Sequence, residues 1–262
     1  MEEITLFKNL VYFDSNKISE YTAVLEGERK IKFKNAKVTT EKSINANLKV
    51  LSGGKGGSSE LKGVLEDNLI LDCNEFESLL KNKGKDSFFD FIESENSYNM
   101  ETIPRSSIIR FDGKFKIPEE FDVMDLINEY KPLLISGMDL DTAEEEEIFK
   151  EVFTGENTKI PAFLNNEHLE NRIGFSKLGS ENLLYSLVDL ESFEEEEVTI
   201  IAKVLSRRSV TSKPIVVFDV MKDLFSFGRA IRRQMDEGSI DGLVNIESSE
   251  DVIEFETLAI YQ

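Results

Sequence analysis

A single histidine, His168, and a single cysteine, Cys73, are the whole stock of imidazole and thiol in this 262-residue chain. With one imidazole, neither a histidine-rich zinc site nor a zinc-protease helix can be assembled within one chain. A Ser-His-Asp or Cys-His relay would have to use His168, which lies in the polar stretch LNNEHLENR with no nucleophile near it in sequence. A surface or capping role is the expectation for it. One cysteine excludes an intrachain disulfide and fits a reducing compartment. Cys73 stands between Asp72 and Asn74 near an expected helix start, but the acids beside it favour an ordinary buried thiol over a thiolate. No apolar run approaches the roughly 20 residues of a membrane helix. The acidic start MEEITLFKNL lacks the basic region and small-residue cleavage site of a signal peptide. The expectation is a cytoplasmic protein with no membrane contact.

Phosphate-loop and metal motifs are missing as well. The glycine-rich stretch at 52–59, SGGKGGSS, places Lys55 between glycines with no Ser or Thr after it, so the spacing of a P-loop fails. Gly53, Gly54, Gly56 and Gly57 do not open a helix in the dinucleotide pattern either, and the segment reads as a flexible connection. Asp139, Asp141 and Glu144 begin like a calcium loop, but Glu144 occupies the position where that loop needs glycine. The run Glu144 to Glu147 is accounted for as the acidic first turn of a helix capped by Asp141 or Thr142. No metal, no cofactor and no catalytic residue is expected.

What the chain does have is charge, and it is segregated. The formal net charge is −20, yet residues 203–233 carry a local +6, from Lys203, Arg207, Arg208, Lys213, Lys222, Arg229, Arg232 and Arg233 against Asp219 and Asp223. Residues 29–37 add five more cations, Arg29, Lys30, Lys32, Lys34 and Lys37, with no acid among them, which leaves −31 on the rest. Such separation creates local potentials able to hold an anion, a phosphate backbone or the protein's own acidic half. A helix over 227–235 would bury Phe227, Ala230, Ile231 and Met235 and present Arg229, Arg232 and Arg233 together on the other side. Three guanidiniums on one face can grip phosphates or carboxylates through paired donors. The segment RRSVTSK, read as a strand connection, adds Arg207, Arg208 and Lys213, and the alternating KIKFK places Lys30, Lys32 and Lys34 on one face of a strand. These nine residues are the candidate contacts for an anionic partner, either nucleic acid or an acidic protein surface. The competing account folds Glu194 to Glu197 over the arginines and neutralises them internally.

Periodicity gives an α+β fold, mixed sheets with flanking helices in two lobes. Strands are expected over 4–13, 30–34, 44–51, 106–116, 172–176, 184–189, 197–206 and 252–261. Helices are expected from Ser15 to a stop at Gly27, and over 74–83, 86–94, 119–130 and 142–154. The lobes would be 1–100, with the loop at 52–59, and 101–262. Within the second, Phe121-Asp122-Val123-Met124 recurs as Phe218-Asp219-Val220-Met221, each after an expected strand, which would make two related strand-then-helix units.

The opening LVYFDSNKISEYTAVLEG, the glycine-rich stretch, IIRFDGKFKIPEEFD, VTIIAKVL and the closing LAIYQ occur in an order that resembles an uncharacterised family of bacterial proteins of unknown function. The resemblance spans nearly the whole chain but rests on core patterns, so it carries over no catalytic residue. It implies a bacterial cytosolic protein whose relatives sit among mobile-element or phage-defence (antiviral) genes. The expected function is a non-catalytic binding or regulatory component, homo- or hetero-oligomeric, that contacts an anionic partner. Two alternatives stay open: a metal-dependent enzyme on nucleotides or nucleic acid using Asp219 and Asp223, and an acidic inhibitor or immunity protein for a basic partner.

Overall fold

A computed structural model describes residues 8–27, 68–93, 98–119, 121, 159–194, 196–219, 222–223 and 245–262. Among these lie nine strands and three α-helices, an α+β fold built around mixed sheets. The strands are β1 (Leu10–Phe13), β2 (Phe88–Asp90), β3 (Ile108–Lys116), β4 (Lys159–Asn165), β5 (Arg172–Gly179), β6 (Val198–Arg208), β7 (Ile215–Phe218), β8 (Ile246–Ser248) and β9 (Asp251–Tyr261). The helices are α1 (Ser15–Glu26), α2 (Leu69–Lys83) and α3 (Leu187–Glu194).

The pairing closes a ring. β3 pairs antiparallel with β4, β4 with β5, β5 parallel with β9, β9 antiparallel with β6, and β6 antiparallel with β3. β1 extends the sheet from the end of β9 and β2 from the start of β3, while β7 and β8 form a separate two-stranded sheet. Register identifies the inside of the ring. Phe111 faces Ile200, Ile200 faces Ile260, and Ser176 lies opposite Phe255, whose ring is 6.0 Å from that of Phe111. Ile160, Ala162 and Leu164 fill the same space from β4. Gly174 is required there, because a Cβ would come within 2.9 Å of the Leu164 backbone oxygen and 3.1 Å of the Phe255 ring. Deep in the barrel the Thr257 hydroxyl donates to Ser176 Oγ at 2.8 Å, which satisfies two buried polar groups.

One outer wall is covered by α1 and α2. Asp14 caps α1 by accepting from the Lys17 amide at 2.9 Å, and Gly27, the expected stop, ends it at φ 77. Ile18, Phe76 and Leu80 join Leu10, Phe13, Ile108, Ile201, Leu258 and Tyr261 in a second core. Where α1 crosses β9, Glu256 accepts from the Tyr21 hydroxyl at 2.6 Å and pairs with Lys17 at 3.0 Å. Burial alone would raise the Glu256 carboxyl, but Tyr21, Lys17 and Lys203 hold it below the usual carboxylate range. A depressed carboxyl contributes stability that is complete above its unfolded value of about 4.3 and is lost as pH falls through the folded value. Glu256→Gln should therefore cost about 1 kcal/mol at neutral pH. In urea melts that difference should shrink toward zero below about pH 4; a difference independent of pH would contradict the assignment.

Several expectations change. The expected helix at 86–94 is instead a 3-10 turn, Lys85–Ser87, followed by β2, because Phe88 and Phe89 pair in parallel with Ile108 and Ile109. The expected strand at 184–189 becomes α3, nucleated by Ser186, whose Oγ accepts from the Asp189 amide at 3.3 Å and donates to its carboxylate at 2.6 Å. The boundary expected between residues 95 and 105 falls on the connection between β2 and β3, hydrogen-bonded neighbours, and β1 from the first hundred residues pairs with the last strand. Of the repeated motif, the two phenylalanines meet, with the rings of Phe121 and Phe218 edge to face at 6.2 Å. The rest of the first copy, 122–124, and residues 220–221 lie outside the described residues, as do the expected strands at 30–34 and 44–51, the glycine-rich loop and most or all of the helices expected at 119–130 and 142–154.

Candidate anion-binding site

Of the nine candidate contacts, Arg207, Arg208 and Lys213 fall within the described residues; Lys30, Lys32, Lys34, Arg229, Arg232 and Arg233 lie outside them. Arg207 and Arg208 are not on a loop, as the sequence reading has them, but at the end of β6, held there by pairing with Ile253 and Val252 of β9. Their side chains leave opposite faces of the sheet. Arg208 turns outward, donating to the Val216 carbonyl at 2.9 Å and pairing with Glu254 at 3.2 Å, so it ties the β7–β8 sheet to the barrel. Arg207 turns to the barrel end, where its Nη2 donates to the Met100 and Ile103 carbonyls at 2.6 and 2.7 Å. Nε of each arginine is buried with no hydrogen-bond partner. Lys213 is exposed, beyond the end of β6.

Two arginines join Arg207 that sequence reasoning does not single out. Arg172 opens β5 and shares a sheet face with Arg207, because Arg172 lies opposite Asp251, and Arg207 opposite Ile253, two residues along the same strand. Arg172 pairs with Glu101. Arg207 and Arg172 thus hold the same loop, at residues 100, 101 and 103, and Arg105 is the exposed residue that ends it. Burial, and then the positive charges of Arg172 and Arg105, push the Arg207 guanidinium below its ordinary value, with Glu101 opposing. Two acids stand among these arginines: Glu101, paired with Arg172, and Asp251, which lies opposite Arg172 on β9. No local pattern announces Arg105 in PRSS or Arg172 in ENRIGF; only the closure of the barrel brings them together.

Of the acidic run, Glu194, Glu196 and Glu197 are described, and they do not fold over these arginines. They precede β6, while Arg207 and Arg208 end it, and at about 3.3 Å per residue the strand separates the two groups by about 30 Å. Glu194 is occupied at the far end, accepting from the Ile117 amide at 2.8 Å.

The remaining chemistry-bearing residues are placed as follows. Asp223 pairs with Lys177 at 2.6 Å and accepts from the Asp219 amide at 3.0 Å, so its carboxylate is committed to holding β7 against β5. Among the described residues no group of three His, Cys, Asp or Glu side chains is placed to hold a metal ion. Cys73 is fully buried within α2, and burial pushes its thiol up to about 12. His168 sits in a 3-10 turn, Glu167–Leu169, with its ring 4.9 Å from Phe91. It lines a polar cleft of about 390 Å³ with Asp112, Lys114, Asn165 and Glu197. Among the described residues no helix is long and apolar enough to cross a membrane.

No protein-family model, no curated protein and no solved structure matches the chain.

Proposed function

We propose that this protein is a non-catalytic binding component whose anionic partner docks at the barrel end formed by the close of β6, the start of β5 and the loop 98–107. The observation that carries this is that the pairing of β5 and β6 with β9, and the Ser106 amide donating to the Val204 carbonyl at 2.8 Å, bring Arg172, Arg207 and Arg105 to this one end, in a chain of net charge −20 whose Glu196 and Glu197 lie at the opposite end of β6. Lys213 and the outward Arg208 continue the basic surface where the chain leaves β6. The long connection from β6 to β9 also carries Arg229, Arg232 and Arg233.

Between the two anionic classes, the barrel favours single-stranded nucleic acid. Its order β3-β4-β5-β9-β6, with a parallel β5–β9 pair and a helix between β5 and β6, is the strand order of the oligonucleotide- and oligosaccharide-binding barrel. In that architecture the connection between the fourth and fifth strands, here β6 to β9, contributes to ligand contact. Strand order hosts many functions, so the charge of the site decides among them. The biological setting we attach to this proposal is a bacterial phage-defence or mobile-element system, as the sequence resemblance implies.

The test is fluorescence anisotropy of a labelled oligothymidylate of roughly 12 nucleotides, within the site size of one such barrel, with polyglutamate as the alternative anion. Binding should weaken steeply with salt, and changing Lys213, Arg229, Arg232 and Arg233 to Gln should weaken it further while flattening the salt dependence. Absence of binding to either polyanion at low salt would sink the proposal.

A further inference from the structure

We infer that Arg105, Arg172 and Arg207 form a single phosphate-binding subsite, which holds one phosphodiester of a bound strand at the barrel end. This rests on the proposed function and sharpens it, since neither Arg105 nor Arg172 belongs to the basic islands visible in the sequence.

The geometry is that of a built site. Arg172 and Arg207 project from one face of the sheet on either side of β9, and both grip the loop that Arg105 ends. The backbone departs from regular form beside each of the three. Ser106, next to Arg105, stands at φ 70; Glu170, two residues before Arg172, at φ 55; and a bulge interrupts β6 between Val204 and Ser206, just before Arg207. Non-glycine residues in the left-handed region carry strain, and a bulge re-aims the side chains that follow it. The bulge leaves Leu205 exposed on a strand whose residues up to Val204 are all buried or half-buried.

Charge and donor chemistry select phosphate. Arg207 spends Nη2 on the Met100 and Ile103 carbonyls, and Arg172 spends one Nη2 contact on Glu101. Arg105 has no acidic partner among the described residues. Planar guanidiniums with donors to spare match the oxygens of a phosphate, and the partly buried positions of Arg172 and Arg207 strengthen their charge-assisted hydrogen bonds. Bringing one anion between them would also remove the mutual repulsion of the three.

The variant that tests this is Arg105→Gln, because Arg105 is exposed and its loss leaves the loop anchors in place. In the same oligothymidylate assay, R105Q should bind about tenfold more weakly, with a salt slope shallower by about one. Arg105→Lys should keep the slope and lose part of the affinity, since it keeps the charge but not the fork. An unchanged melting temperature in both variants separates this from misfolding. If the parent binds the oligonucleotide and R105Q matches it in affinity and slope, the subsite is wrong and the proposed function stands. Binding of polyglutamate without the oligonucleotide would overturn the phosphate assignment and leave an anionic partner. Binding of neither would overturn both.

Discussion

Arg110→Met should destabilise the fold by about 3–5 kcal/mol, as expected when one partner of a buried ionic network is removed and the others stay charged. Arg110 is 5% exposed on β3 and reaches three carboxylates: Glu77 of α2 at 3.2 Å, Asp90 of β2 at 2.9 Å, and Glu93 at 2.8 Å. Lys8 closes the network on the other oxygen of Glu77 and lies 4.1 Å from the Tyr261 ring centre. Burial works against the charge of Arg110, but Glu93, Asp90 and Glu77 hold its guanidinium above the ordinary value; Tyr261 is pushed up by burial and by Glu77. The network fastens α2 and β2 to the barrel, so equilibrium urea unfolding of R110M should show a lower midpoint at unchanged slope. Arg110→Lys should fall between, because one ammonium cannot serve three carboxylates with the same geometry. A loss below about 1 kcal/mol for R110M would mean that the carboxylates are solvated and the network is not a fastening.

Phe255→Ala should cost a further large amount when made alone, about 3–5 kcal/mol. Phe255 is 2% exposed at the centre of β9, the strand that pairs with β1, β5 and β6, and its ring lies between Phe111 and the space that Gly174 leaves open. Removing it opens a cavity inside a closed barrel whose walls are tied by hydrogen bonds and cannot collapse far. Val24→Ala supplies the contrast, since Val24 is 74% exposed on α1 and should change stability by less than about 0.5 kcal/mol. Thermal melts of the two variants check the pair. Equal effects would contradict the assignment of Phe255 to the barrel interior.

The barrel was only partly legible in the sequence. β3, β5, β6 and β9 announce themselves through alternation or apolar runs, and their limits lie close to the expected ones. β4 stays hidden because Pro161 interrupts IPAFLN. The structure tolerates it since β3 pairs with β4 only from Phe163 onward, so at Pro161 the strand has β5 on one side and no ladder to feed on the other. α3 carries a signal that alternation overrode, Ser186 three residues before Asp189. The parallel pairing of β5 with β9 joins residues about eighty apart, and no local pattern encodes it. The site follows the same division. Arg207 and Arg208 stand out as neighbours in sequence, whereas Arg172 reaches Arg207 only because β5, β9 and β6 lie side by side, and Arg105 only because the start of β3 pairs with the end of β6.

The location of the partner is tested most directly by hydrogen exchange of the parent protein with and without the oligothymidylate. Amides of residues 99–107, 172–174 and 206–213 should exchange more slowly in the complex, with those of the His168 cleft unchanged. Protection confined to other surfaces, or none at the close of β6, would contradict the assignment of this barrel end as the anion-contact site.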